Sequence, residues 1–255
     1  MIEATYIDHM GTDLTVANSA RVSFGKQSEM DTSDVWGPPK LKDKDANLIR
    51  YLAEHKHISP FGHCFASFHV KAPVFVARQL VKHKFLRWNE ISRRYVDHEP
   101  EFYVPKTWRG RAKDKKQGSE GVVDVLEQSY TSRQERAIAY YMRLVNVVGV
   151  CPEQARMVLP QSTMTEWYWS GSLDAFADMC NLRLAPDTQE ETRQVAQQIS
   201  VKMSNLFPVS WSALVKRQSV NKEIRPMTDE ERNRATEREE LNQAWYDGDG
   251  AELFL

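Results

Sequence analysis

Between Arg78 and Arg94 the chain carries six strong cations, Arg78, Lys82, Lys84, Arg87, Arg93 and Arg94, against the single carboxylate Glu90. A segment this polar cannot be core, and repulsion among its cations opposes any arrangement that crowds them without an anion. The fold must therefore display the stretch Lys82–Tyr95 outside whatever core it builds. The excess is local, because the whole sequence has a formal charge of -1. Gln79, Arg87, Glu90, Ser92 and Arg94 mix donors and acceptors of different reach, as binding a polar ligand with several groups requires. Arginine clamps a phosphate bidentately, while glutamate and serine read the edge of a base or sugar. The pattern describes a nucleotide site, with a solvated charged face as its bland alternative.

At 255 residues the chain can bury a sizeable core, as one large domain or two small ones. The balance of 34 Lys and Arg against 35 Asp and Glu argues against a nucleic-acid coat or a polybasic membrane binder. Three cysteines, Cys64, Cys151 and Cys180, without a CxxC spacing imply a reducing compartment and no disulfide framework or zinc knuckle. The first twenty residues lack an apolar signal region, and no apolar run approaches the ~20 residues needed to span a bilayer. The expected location is cytoplasmic, with no membrane contact.

Punctuation and periodicity divide the rest. Residues 24–43, rich in Gly, Ser, Asp, Pro and Lys, read as a surface loop. Leu48, Ile49, Leu52 and Ala53 predict a helix over 47–55, broken at Ile58-Ser59-Pro60-Phe61-Gly62. Alternation predicts a strand over 64–70, with Ala66, Phe68 and Val70 on one face. Pro73 suits the first position of a helix running through Val81. The cationic segment then begins at that helix's C-terminal end, whose partial negative charge tolerates Lys82 and Lys84. Further elements expected are a strand over 101–104, a loop over 109–118, a long amphipathic helix over 121–148, a short helix from Cys151 ended by Pro160, and a strand over 162–169. A helix through Leu173, Phe176, Cys180 and Leu184 follows. Thr188-Gln189-Glu190-Glu191 reads as a capping box opening the next, with Val195, Ile199, Met203 and Leu206 inward. Residues 1–220 make the domain. Residues 221–255 form a charged extension with one solvated helix from Thr228 and a loose tail.

Among the histidines, His55, His57 and His63 superficially resemble a metal site, but Lys56 between two of them would repel a cation, and no metal is expected. His57, beside the Ser59–Gly62 turn, remains a ligand contact. Cys180 near Arg183 is a weak candidate thiolate, and Ser92 lies among cations without a GxSxG elbow. There is no GxGxxG or GxxxxGK[ST] loop. A phosphate-binding site with neither nucleophile nor metal borrows its chemistry from a cofactor.

Lys82-His83-Lys84, seven residues, then Ser92 resembles the Arg-His-Arg-x7-Ser signature of the flavin-dependent thymidylate synthases. Asn89-Glu90 and Arg94-Tyr95 fit the same motif, as do the approach His57–His63 and the stretch Phe68–Gln79. Ala155–Pro160, Asn181-Leu182-Arg183 and Arg21-Val22-Ser23 are similar to further blocks of the family. The similarity covers roughly 21–207. It implies a single α+β domain of that family's type, a mixed sheet with helices and a helical C-terminal half, in a homotetramer whose active sites are shared between subunits. It also implies methylation of dUMP to dTMP, with FAD reduced by NADPH and methylenetetrahydrofolate as carbon donor.

Carried over residue by residue, Gln79, Lys82, Glu90, Ile91, Ser92, Arg93, Arg94, Arg156 and Arg183 would hold dUMP. Arg183 would favour the ionised uracil, and Ser92 matches the serine of the motif; these two are the catalytic candidates. Ser23, His57, Ser59, Lys82, His83, Lys84, Glu90, Ser172 and Asp178 would contact FAD. The chain departs from the pattern in places. Lysines at 82 and 84 replace arginines, keeping the charge and losing the bidentate fork. Ser172 and Asp178 stand where asparagines are usual, and Asp187 where a histidine often meets the flavin. Two other readings of the basic stretch are a single-stranded nucleic-acid binder using residues 82–95 with Phe85 and Trp88 as stacking platforms, and a metal-dependent nucleotide hydrolase using the histidines.

Overall fold

A computed structural model describes residues 1–96, 98–113 and 118–216. In chain order its elements are β1 (Glu3–Met10), α1 (Asp13–Arg21), α2 (Asp43–Glu54), β2 (Phe65–Pro73), α3 (Val74–Leu80), β3 (Leu86–Glu90), β4 (Arg109–Arg111) and β5 (Ser119–Val122). Then come α4 (Glu127–Arg143), α5 (Pro152–Ala155), β6 (Met164–Ser172), α6 (Leu173–Arg183), α7 (Glu190–Leu206) and α8 (Pro208–Leu214). The main sheet runs β1-β2-β6-β3, and each of its neighbouring pairs is antiparallel. The α+β expectation and the helical C-terminal half hold. The expected helix at Thr228 and the tail lie outside the described residues.

The core grows from the period-2 pattern of β2 and β6. Ala66, Phe68, Val70 and Ala72 turn inward beside Trp167 and Trp169, all fully or almost fully buried. Phe68 lies opposite Trp169 in the register. Phe176 of α6 meets both edge-on, at ring separations of 5.3 and 5.6 Å. The α7 stripe Val195, Ile199 and Met203 is buried against the same cluster, with Leu173 and Cys180 of α6. Burying a large aromatic side chain contributes roughly 3 kcal/mol, and this layer fixes where α6 and α3 can end. Helix α8, unforeseen, starts at Pro208 because Asp13 accepts the backbone N–H groups of Val209 and Ser210, each at 2.9 Å. No helix among the described residues is long and apolar enough to cross a membrane.

Several local expectations need correction. The cationic stretch contains a strand: Leu86 and Trp88 face inward while Arg87 and Asn89 face out, a period-2 pattern hidden by charge. Residues 101–104 form only a single bridge, Phe102 to Thr163, since Pro100 and Pro105 flank them and cannot donate to a ladder. The presumed loop at 109–118 instead bears β4, which pairs with β5 as a small hairpin. The long helix begins at Glu127, leaving Val125 and Leu126 exposed before it, and passes into a π-turn over Leu144–Val148 ended by left-handed Gly149. Pro73 closes β2 and caps α3 rather than opening the helix. Thr188 does not cap α7: its hydroxyl donates to the Leu182 carbonyl, and Gln189 occupies the cap position without a side-chain bond. Cys180 is fully buried, donates to the Ala196 carbonyl and has its thiol pKa driven up by burial, so it is no nucleophile.

Candidate functional site

Helix α3 ends at Leu80 and turns through Lys82-His83-Lys84 into β3. Phe85, at the joint, adopts φ +66°, a left-handed conformation that a non-glycine residue holds only under constraint. Across the sheet, Gly171 faces this joint: a Cβ there would lie 2.5 Å from the Leu86 side chain and 3.0 Å from the Phe85 carbonyl. The bare backbone at Gly171 thus admits β3 and sets the cationic turn over the end of β6.

Beneath the turn, α6 ends on Arg183. Its Nε donates to His83 Nε2 at 2.9 Å, and its Nη2 donates to the Gln79 carbonyl at 3.0 Å. Burial pulls the Arg183 pKa below its ordinary range. Burial first, and the Arg183 charge second, lower His83 to about 4, so the imidazole is neutral at physiological pH and can accept. The Gln79 amide is engaged at both ends: its Nε2 donates to Gln189, and its Oε1 accepts from Thr192 Oγ1 at 3.2 Å. Thus α3, α6 and the start of α7 converge on Gln79, His83 and Arg183. Gln189 and Thr192 escaped the sequence reading; Gln189 was hidden inside the supposed capping box.

The rest of the motif lies along the sheet's rim. Glu90, last in β3, accepts from Thr165 Oγ1 at 2.6 Å and from Trp88 Nε1 at 3.1 Å. Ser92 Oγ accepts from Arg94 N at 3.3 Å and Arg94 Nε at 3.2 Å, and the Arg94 guanidinium sits 4.9 Å from the Tyr95 ring centre. Arg93 donates to the His98 carbonyl, and Ile91 N donates to the Glu166 carbonyl at 2.9 Å. Ile91 and Arg93 line a shallow cleft of about 350 Å³ with Lys71, Glu101, Thr165 and Glu166. Among the described residues, ion pairs form at Arg21, Lys40, His69, Lys71, Arg109 and Arg193, and none involves the six cations of the 78–94 segment.

A second group gathers around the 3₁₀ turn Ser59–His63, which packs against α1 and α6. His57, exposed, leads into it, and Ser59 opens it. Ser172 is the buried residue before α6, and Ser23 sits exposed on the short turn after α1. Arg21 and Ser28 both bond the fully buried Asp45, fixing the root of the Ser23 loop. On α6, Asp178 is exposed, and partial desolvation first and Asp174 second raise its carboxyl modestly. Asp174 Oδ1 is buried with no protein partner. Arg156 is not brought to either group: it is exposed on a turn packed against α4, with Nε donating to the Glu153 carbonyl at 3.3 Å. No cluster of three or more His, Cys, Asp or Glu able to hold a metal occurs among the described residues.

The donor set suits anions at one place and not at another. Lys82, Lys84 and Arg94, in no ion pair among the described residues, fit phosphate groups, whereas the carboxyl groups of Asp174 and Asp178 fit hydrogen-bond donors such as hydroxyls or ring N–H groups. Comparison with known proteins identifies the family. The family model described as thymidylate synthase complementing protein matches residues 5–209. The flavin-dependent thymidylate synthase of Thermus thermophilus is 41% identical over 209 residues, spanning 81% of this chain and 73% of that protein. That of Thermosipho africanus is 35% identical over 219 residues, spanning 82% and 89%. A crystal structure of a UMP/dUMP methylase from Streptomyces cacaoi bound with 5-Br dUMP superimposes with a TM-score of 0.70 at 30% identity, covering 85% of this chain and 98% of that one. The chain belongs to the flavin-dependent thymidylate synthase family.

Proposed function

We propose that this protein methylates dUMP to dTMP, with FAD as its flavin, NADPH as electron donor and methylenetetrahydrofolate as carbon donor. The observation that carries the reading is the rim of cations around Lys82–Arg94, in no ion pair among the described residues and including the turn whose His83 bonds Arg183. Two phosphorylated ligands supply the anions that this rim lacks.

The residues divide the work by position. Arg183, held by Gln79 and His83, places positive charge at the uracil edge and stabilises the anion that makes C5 nucleophilic. Glu90, Ile91, Ser92, Arg93 and Arg94 grip the rest of dUMP along the rim, joined by Lys82 on the phosphate side. The Gln79 amide, with one bond at each end, keeps its second N–H and a second carbonyl lone pair for the nucleotide. Ser92 has Arg94 as partner and no base beside it, so it serves as a substrate contact rather than a nucleophile. Over the reaction, C5 would lose its proton and gain the folate methylene carbon as that carbon's bonds to the folate nitrogens break, leaving tetrahydrofolate, and a hydride would complete the methyl group. FAD, when bound and reduced by NADPH, would supply that hydride. Lys82, His83 and Lys84 hold it from the turn, with Glu90 at the end of β3. Ser23, His57, Ser59, Ser172 and Asp178 meet it from the other group, the last facing a hydroxyl or ring N–H. Arg156 completes the site of a neighbouring copy, which accounts for its distance here, and a homotetramer shares its sites in this way.

Tritium release from dUMP labelled at C5, in the presence of NADPH and methylenetetrahydrofolate, tests the reading. Release coupled to dTMP formation by yellow, flavin-bearing protein is expected. Colourless protein that takes up no added FAD and releases no tritium would overturn it. The nucleic-acid reading loses one of its two platforms, since Trp88 already stacks on Trp167 at 4.3 Å.

A further inference from the structure

Arg183 meets the protein through one edge only. A guanidinium offers a side fork, made of Nε–H and one Nη2–H, and an end fork, made of one hydrogen each from Nη1 and Nη2. Here the side fork is consumed, with Nε on His83 and Nη2 on the Gln79 carbonyl. Nη1 bonds no acceptor among the described residues. The two acceptors differ in kind. The Gln79 carbonyl sits on the backbone of α3, whose position follows from buried Val76, Ala77 and Leu80. The imidazole nitrogen accepts only if it carries no proton, which places the single ring hydrogen on Nδ1.

We infer that His83 is a positioning residue for Arg183: as the Nδ1–H tautomer it takes the Arg183 Nε–H, turning the end fork of the guanidinium toward the pyrimidine. This rests on the proposed dUMP chemistry and adds to it a role distinct from contacting flavin. Several features support it. His83 is half-buried, with its ring 6.4 Å from that of Trp169, so it has little freedom to swing away. Burial and the charge of Arg183, bonded to it from α6, oppose a positive charge on the ring and keep Nε2 available. A protonated ring would set N–H against N–H and release Arg183. An unheld guanidinium also loses the pre-set orientation on which electrostatic stabilisation depends.

The test compares His83→Gln, which keeps an acceptor at similar reach, with His83→Phe, which keeps a ring and removes the acceptor. Both are prepared as flavin-loaded protein with flavin content measured from its absorbance. With added FAD at saturation and rates expressed per bound flavin, His83→Phe is expected to lower kcat/KM for dUMP by about 100-fold, and His83→Gln to recover at least about tenfold of that loss. Equal losses in the two variants, or losses that track missing flavin, would overturn the inference. In ¹⁵N-labelled wild type, a through-hydrogen-bond coupling between Arg183 Nε and His83 Nε2 is expected. Its absence, with the ring proton on Nε2, would also overturn it. That measurement needs no turnover, so wild type that fails to convert dUMP sinks the functional reading and leaves this one to be decided by the coupling.

Discussion

Helix α6 carries one carboxylate in its first turn, Asp174, and another at its middle, Asp178, and ends on a guanidinium, Arg183, and its two ends are finished differently. At the C-terminal end Arg183, His83, Gln79, Gln189 and Thr192 bond one another, and only the outer edge of Arg183 is left over. Toward the N-terminal end Asp174 keeps a buried oxygen without a partner, and partial desolvation raises the Asp178 carboxyl modestly. Both charges suit the helix dipole, so the dipole does not explain the contrast. Preorganisation does. The Arg183 end is bonded within one chain, whereas the Asp174 end keeps a buried carboxyl oxygen without a partner among the described residues.

Variants can break this contrast in graded steps. Arg183→Ala should lower turnover about 10³-fold, the scale of removing one preorganised stabilising donor, while the melting temperature stays near that of wild type. Retained dTMP formation would remove the central residue from the site. Phe176→Ala, in the middle of the same helix, should instead cost about 3–5 kcal/mol of stability through the cavity it leaves, measured by denaturant unfolding. It would disturb both ends together. Asp178→Asn should stabilise modestly, by about 0.5 kcal/mol. The sign follows from the raised folded pKa: the carboxylate's cost is absent below the unfolded value and appears as pH rises through the folded one. The gain should therefore be visible in thermal melts at pH 8 and vanish near pH 3. A gain persisting at low pH would mean that charge is not its source. Phe85→Gly should be the smallest change, a gain of about 0.2 kcal/mol, because glycine relieves φ +66° while losing more chain entropy.

The same contrast marks how far the sequence could be read. The apolar alternation of β2 and the stripes of α6 and α7 were legible, because burial alone dictates those residues. The cationic motif was legible as displayed surface, because no core can absorb its charges. What stayed hidden needed tertiary knowledge. Strand β3 exists because Gly171 leaves room for Leu86, a relation across 85 positions that periodicity cannot show. Thr188 looked like a helix cap, yet its hydroxyl found the Leu182 carbonyl of the preceding helix, and Gln189 turned instead to Gln79. The partners of Arg183 are likewise a packing fact, since His83 lies 100 residues away. Arg156 was named from its motif, but nothing in one chain could reveal that it would stand apart from the rest.

The most direct measurement is a crystal structure of the protein with FAD and dUMP bound. The account predicts phosphate oxygens of the two ligands within about 3 Å of Lys82, Lys84 or Arg94, and the free edge of Arg183 on the uracil. Phosphates bound elsewhere, with those side chains pointing into water, would contradict it.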